Sequence, residues 1–386
     1  MTLATPLPIT ATLAEYEAQA DALHAAYLAQ DRRALQLIGN LHPRFLDPEV
    51  TWKPLFASDE EIIVAALTHD DAQLTIARCY SFLDWASLRE LVIAVTDTES
   101  PVHRFESTAE TVIDGDLTAL HRWLSMDPGV VHARSTRVNC QDPPVHAATL
   151  LHYVAANGVE GYRQRSPGNA VAVATMLLDA GADVNALAHM YGGECSALPM
   201  LISSSPPADA GVQVPLVHLL LDRGASIDGV GESQWHSPVR TALLFGFIEA
   251  AAAVVARGAE VKALHIAAGL GDIALVRTLL PSADQAELQA ALALAAHNDR
   301  VEIVALLLEA GADPNAFNPE GMHSHATPLH GAAGSGYVRL CALLLSRGAR
   351  TDIRDKLWDG TPRGWAEHGG QYEVLALLDA SAGTAE

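Results

Sequence analysis

One six-residue phrase recurs along this 386-residue chain: two leucines or valines, two variable residues, then Gly-Ala. It occurs from Leu177 to Ala182, Leu220 to Ala225, Val254 to Ala259, Leu307 to Ala312 and Leu344 to Ala349. A unit that cannot bury its own apolar face must stack on its neighbours, so repetition constrains the fold before any local pattern does. The glycine sits where a helix ends and the chain must turn left-handed at low cost. Burying two leucines per unit contributes on the order of 3–6 kcal/mol before entropy is subtracted, so no unit stands alone.

Several of these phrases pair with an upstream one. Thr149-Leu-Leu-His152, Ala263-Leu-His265 and Thr327-Pro-Leu-His330 each open a short run of small residues ending in glycine, and Gly181-Ala-Asp-Val-Asn185 and Gly311-Ala-Asp-Pro-Asn315 close two units. Together they resemble the ankyrin repeat: a Thr-Pro-Leu-His helix start, an Ala-Ala face, a second helix ending in Leu-Leu, then Gly-Ala-Asp-x-Asn leading into a β-turn finger. Pro328 suits a first helical turn and Thr327 supplies the cap before it. The resemblance implies an all-α solenoid of helix pairs with short β-turn fingers, in which His152, His265 and His330 bond loop backbone between neighbouring repeats. Eight units are expected, beginning near Phe105, Thr149, Cys195, Ser237, Val261, Gln289, Thr327 and Thr361, within one array sharing a single apolar spine over 105–382.

A different segment, 11–100, precedes the array and is expected to form a small helical module. Leu13, Tyr16, Ala20, Leu23 and Tyr27 have helical spacing, and a second helix is expected over Ala34 to Ile38. The run from Asp71 to Leu88, with its Asp-Ala-Gln-Leu and Trp-x-x-Leu marks, resembles the module that precedes many bacterial ankyrin arrays. The stretch Leu150 to Arg165 and Tyr191-Gly-Gly resemble a recurrent bacterial ankyrin-protein subfamily. Trp52, Trp85 and Trp123 are expected to pack this module onto the first repeat.

Composition narrows the partners. A net charge of −22 repels phosphate backbones and anionic lipid, so nucleic acid and membranes are not expected, and a basic protein face or a cationic small molecule is easier to accommodate. Four scattered cysteines without a C-x-x-C pair signal neither a disulfide framework nor a zinc finger; the first residues show no basic region followed by an apolar stretch, and no run approaches about 18 apolar residues. A cytoplasmic protein is therefore expected, without cofactor or metal. Recognised catalytic motifs are missing: no G-x-S-x-G, H-E-x-x-H, P-loop or G-x-G-x-x-G after a strand.

Departures from regularity carry the candidate sites. Insertions at 159–170 and 203–212 lengthen the turns of adjacent units; they are expected to emerge on one edge, opposite the fingers, and to touch. Fingers are expected to be long around 183–196, 225–237 and 313–327. They are clipped in between, which leaves a notch able to hold a ligand or a protruding loop. The principal reading is non-catalytic recognition of a protein partner through the concave face, by Tyr191, Glu194, Trp235, His236, Phe317, Met322, His323, His325, Lys356 and Trp358. The alternative is an enzyme or small-molecule site built from the 159–170 insertion and the 189–195 finger, using Tyr153, Tyr162, Arg163, Arg165, His189 and Cys195. His323-x-His325 on an extended finger would point two rings to one side, a metal-ligand geometry that lacks a third ligand nearby.

Overall fold

The computed structural model describes residues 5–230 and 237–382. The chain divides into two compact units, Met1–His236 and Ser237–Glu386, a boundary inside the stretch expected to be one array. The first unit carries α1 (Leu13–Leu28), α2 (Arg32–Leu41), α3 (Asp59–Val64), α4 (His69–Cys79), α5 (Trp85–Thr96), α6 (Pro101–Asp114), α7 (Leu117–Met126), α8 (Leu150–Ala155) and α9 (Ala170–Asp179). After the hairpin β1 (Ala188–Met190) and β2 (Gly193–Cys195) it continues with α10 (Ala197–Ile202), α11 (Ser205–Asp209) and α12 (Gln213–Asp222). The second unit carries α13 (Pro238–Leu244), α14 (Ile248–Ala256), α15 (Leu264–Leu270), α16 (Ile273–Leu279), α17 (Gln285–His297), α18 (Val301–Glu309), α19 (Pro328–Gly334), α20 (Val338–Ser346), α21 (Pro362–His368) and α22 (Tyr372–Ala382).

The recurring phrase is a helix-ending motif. In all five copies the glycine is left-handed, with φ between 85° and 107°, and the following alanine donates to the carbonyl of the first Leu or Val, as in Ala312 to Leu307 at 3.0 Å and Ala349 to Leu344 at 2.9 Å. The glycine amide closes the inner ring on the second Leu or Val. This is the Schellman pattern, in which orphan carbonyls at a helix end are satisfied by a backward turn. The first Leu or Val of each copy is buried, at 3% exposure or less.

Within each unit the pairs stack as rungs. In the first, α6 packs on α8 and α8 on α10, while α7 packs on α9 and α9 on α12. In the second, α15, α17, α19 and α21 form one row and α16, α18, α20 and α22 the other. Their core runs from Leu264 through Leu292, Leu307, Leu329 and Leu344 to Leu378. Small residues set the spacing: a Cβ on Gly269 would meet Leu243 at 3.0 Å and Leu294 at 3.4 Å. The thin α15 lets the ends of α13 and α17 meet, and Asn298 Nδ2 donates to Leu243 O at 3.0 Å.

The N-terminal helices have their own core, built on Tyr16, Leu23, Leu35, Ile38, Ile76, Tyr80 and Leu88. Asp31 and the Thr68–Asp71 capping box start α2 and α4. The second helix is longer than the Ala34 to Ile38 run, because its exposed arginine start lies outside the apolar pattern. Of the three tryptophans, Trp52 is 61% exposed and so does not pack the module onto the first repeat. Residues 203–212, expected as a lengthened turn, contain the short α11, where Pro206 occupies the first helical turn.

Candidate recognition surface

The finger of the first unit is the β1–β2 hairpin, in register Ala188↔Cys195, His189↔Glu194 and Met190↔Gly193. Its turn residues Tyr191 and Gly192 both have positive φ, the geometry of a tight hairpin. Tyr191 is 38% exposed, yet its hydroxyl donates to Asn157 Oδ1 at 2.7 Å and accepts from Gly158 N at 3.2 Å. The expectation that hairpin and insertion lie on opposite edges is therefore corrected: the hairpin leans back onto the turn where the insertion begins. Gly158 allows this, because a Cβ there would collide with the Met190 sulfur. The two insertions meet at their bases, where Asn157 Nδ2 donates to Ser203 Oγ at 2.8 Å and Ser204 Oγ to Ala156 O at 3.0 Å. On the exposed face of the hairpin, His189 faces Glu194 across 3.9 Å with both side chains about half exposed.

The alternative constellation does not assemble. Tyr153, Tyr162 and Arg163 enter a buried cluster, while Arg165 pairs with Asp114 at the surface and the Cys195 side chain is buried against its own hairpin. In that cluster Arg163 Nη1 lies 2.7 Å from Glu106 and 3.3 Å from Glu160, and Arg137 Nε lies 3.3 Å from Glu106 and 3.5 Å from Glu160. Tyr153 donates to Glu160 at 3.3 Å. All four charged residues are exposed by 3% or less. Burial pushes the Tyr153 hydroxyl well above its ordinary value, helped by the Glu160 carboxylate. Burial acts to raise Glu160 as well, but Arg137 and Arg163 hold it below the usual carboxylate range. The guanidiniums sit over the rings of Phe82 and Tyr153 at 5.0 and 4.9 Å, and Tyr162 packs edge-on against Tyr80. These two cations meet the two buried anions, with a third, the partly exposed Glu110, 2.8 Å from Arg163 Nε, and together the contacts tie the insertion to α6, α8 and the N-terminal core. No repeat signature announces Glu106, Arg137 or Glu160; a charged residue beside an aromatic, as in Phe105-Glu106 and Tyr162-Arg163, was the one local sign.

In the second unit the fingers 313–327 and 350–361 lie side by side. Asp355 organises the later one, accepting from the amides of Leu357, Trp358 and Gly360 and from Trp365 Nε1 at 2.7–2.9 Å. Burial tends to raise this carboxyl, and the four donors, Trp365 first, keep it below its ordinary value. On this base stand Lys356, whose Nζ lies 4.2 Å over the Phe317 ring, and Trp358, 41% exposed. The amide of Lys356 donates to His325 O at 2.9 Å, joining the two fingers.

Met322, expected as a contact residue, is 7% exposed. Its finger folds back instead of projecting: Arg240 Nη2 donates to Gly321 O at 3.1 Å, and His323 Nε2 bonds Leu244 O at 3.0 Å. The notch left by the clipped 259–263 connection is thereby crossed by a loop of the same unit. The His323 and His325 rings are edge-on at 6.1 Å, with one His323 nitrogen already committed, so they do not form the paired-ligand geometry; among the described residues no group of three His, Cys, Asp or Glu could hold a metal. Trp235 and His236 lie outside the described residues.

The repeat histidines behave as the resemblance implies at two of three positions. His152 bonds Cys195 O at 3.0 Å and His330 bonds Gly360 O at 3.2 Å, each with Nδ1 receiving the amide of its capping threonine. At His265 that threonine is replaced by Ala263. Asn185 and Asn315, the last letters of Gly-Ala-Asp-x-Asn, brace the same joints: their Nδ2 groups donate to Gly224 O and Gly348 O at 2.9 and 3.0 Å. Among the described residues no helix is long and apolar enough to cross a membrane.

Residues 208–318 and 264–355 match the family profile described as Ankyrin repeats (3 copies). The chain is 32% identical over 123 residues to the cyclin-dependent kinase 4 inhibitor B of Mus musculus, covering 24% of this chain and 94% of that protein. It is 38% identical over 78 residues to the cyclin-dependent kinase inhibitor 2A of Monodelphis domestica, covering 20% of this chain and 43% of that one, less than half its length. Over 221 residues, 55% of this chain, it is 27% identical to the ankyrin repeat and KH domain-containing protein mask-1 of Caenorhabditis elegans, covering 8% of that protein.

Proposed function

Because the chain belongs to the ankyrin-repeat family, we propose that it works by non-catalytic recognition of a protein partner, through finger tips and first helices on the concave side of its repeats. The observation that carries this reading is the paired finger of the second unit, where the buried Asp355 holds Phe317, Lys356 and Trp358 in place before any partner arrives. A rigid aromatic tip loses little entropy on binding and gains from desolvation. His325 beside Trp365 is read as a further contact of this unit, and Tyr191 and Glu194 on the hairpin as contacts of the first unit. The names of the kinase inhibitors are those of proteins that act on another protein, which agrees with the reading. The partner's contacting face is read as basic or neutral, given the net charge of −22.

We further read residues 11–100 as the helical module of a bacterial subfamily, ahead of an array over 105–382, in a cytoplasmic protein. The capping role of Asp71 and the full burial of Leu88 support the first of these, and four free cysteines suit the last. Lys356→Ala with Trp358→Ala tests the recognition reading. The double variant is expected to lose a co-purifying protein that the wild type retains, with its melting temperature within about 2 °C; an unchanged co-purification profile would reject the assignment.

A further inference from the structure

Residues 319–325 touch elements that lie two repeats earlier in the chain. Gly321 O is held by Arg240 of α13, and His323 Nε2 by the last carbonyl of that helix, Leu244 O. Met322 is buried beneath the crossing, and the His323 ring stacks at 5.0 Å and 23° on His297, the last residue of α17. His325 follows at 6.1 Å and leans on Trp365 at 5.8 Å. His323 adopts φ 60°, a left-handed conformation uncommon outside glycine though more accessible to histidine than to most residues. Three imidazoles and one guanidinium therefore converge where the loop is fastened.

We propose that residues 319–325 are a strap that covers this unit's own recognition face and is released when His297, stacked against it, and its own His325 take up protons. That the covered face serves recognition rests on the reading above; release of the strap does not.

The charge inventory around the strap favours release in acid. Arg240 faces it from α13, His265 from α15, Glu287 and His297 from α17, Asp299 from the following turn, His330 from α19, and Asp355 and Lys356 from the neighbouring finger; the strap itself carries Glu320, His323 and His325. Asp355 already accepts four hydrogen bonds and favours a charged His325 from the neighbouring finger, whereas Glu287, Asp299 and Glu320 are exposed to water and Arg240 places a fixed cation against the strap. Burial, then the neighbouring His323, lowers His297 to about 4, and the same two causes in the same order lower His325 against an upward pull from Asp355. Rings lowered in the closed state bind protons more readily in the open one. Opening is thus favoured as pH falls from the ordinary imidazole range toward 4, and is indifferent to pH above it.

The amides of Met322, Ala326 and Lys356, bonded to Pro319 O, His323 O and His325 O, report the strap. Their hydrogen-exchange protection, measured in the intact protein and corrected for intrinsic rates, is expected to fall by up to about 30-fold from pH 7.5 to 5.0, the ratio for one imidazole titrating normally when open and near 4 when closed. Amides of α17 and α19 should keep their protection, and the pH effect should vanish in His297→Gln with His325→Gln. Equal strap protection at both pH values, simultaneous loss in α17 and α19, or an undiminished effect in the double variant would each overturn the proposal. None of these outcomes depends on a partner, so the recognition reading stands or falls separately, on its co-purification test at neutral pH.

Discussion

A neutral ring in a polar slot makes His152 a quantitative probe of the repeat joint. Its Nδ1 receives the Thr149 amide, so the proton must sit on Nε2, which donates to Cys195 O. A second proton would set two donors face to face. Burial lowers the ring to about 4, against an ordinary value near 6.5. The unfolded chain therefore binds the proton first, and the stability this residue contributes is complete above pH 6.5 and lost as pH falls from there to 4. The loss is expected to reach about 2 kcal/mol at pH 5, read as a shift in urea midpoint that is smaller in His152→Leu. At Arg163 the expectation is larger. Replacement by Met leaves Glu106 and Glu160 buried with one cation between them, and breaking such a pair costs about 3–5 kcal/mol. A midpoint shift below about 1 kcal/mol would mean that the cluster is already open to water.

Elements differ in how openly they were written in the residues. The helix ends were legible because the Schellman turn demands glycine at one position and an apolar contact around it, a local rule that repeats with the unit. Starts near Thr149, Ser237, Thr327 and Thr361 were legible for the same reason, since a cap and a first-turn proline act within three residues. The direction of the fingers was not. Whether Met322 projects or folds under depends on Arg240 and Leu244, some eighty positions earlier, and the tight return of Tyr191 onto Asn157 depends on Gly158, across the insertion from it in the same repeat. The candidate tips Phe317, Lys356 and Trp358 came from finger position alone, while Asp355, which organises them, has no motif. Two glycines separate local from distant demands. Gly348 has φ 85° and no atom near its missing Cβ, so Gly348→Ala should cost only the left-handed strain, about 1–2 kcal/mol. Gly158→Ala meets the same strain and also the Met190 sulfur, and is expected to cost about 1–3 kcal/mol more. Equal melting temperatures for the two variants would show that the hairpin does not press on that turn.

Taken whole, the molecule is two compact units whose helix pairs bury leucine and alanine between rungs and leave chemistry to the loops. Buried charges in the first unit are spent on holding the insertion to the N-terminal core, and in the second the buried Asp355 carboxylate is spent on a finger. The chain as a whole is strongly acidic, and the surface of the second unit carries a few aromatic finger residues. The central claim is that such a residue meets another protein. A photo-reactive phenylalanine analogue placed at Trp358 in cells tests it most directly, with the same group at Glu302, exposed on the second helix of its pair, as the reference. A discrete cross-linked protein is expected from position 358 that is missing from position 302. Identical adducts from both positions, or none from 358 in cells where the protein folds normally, would contradict it.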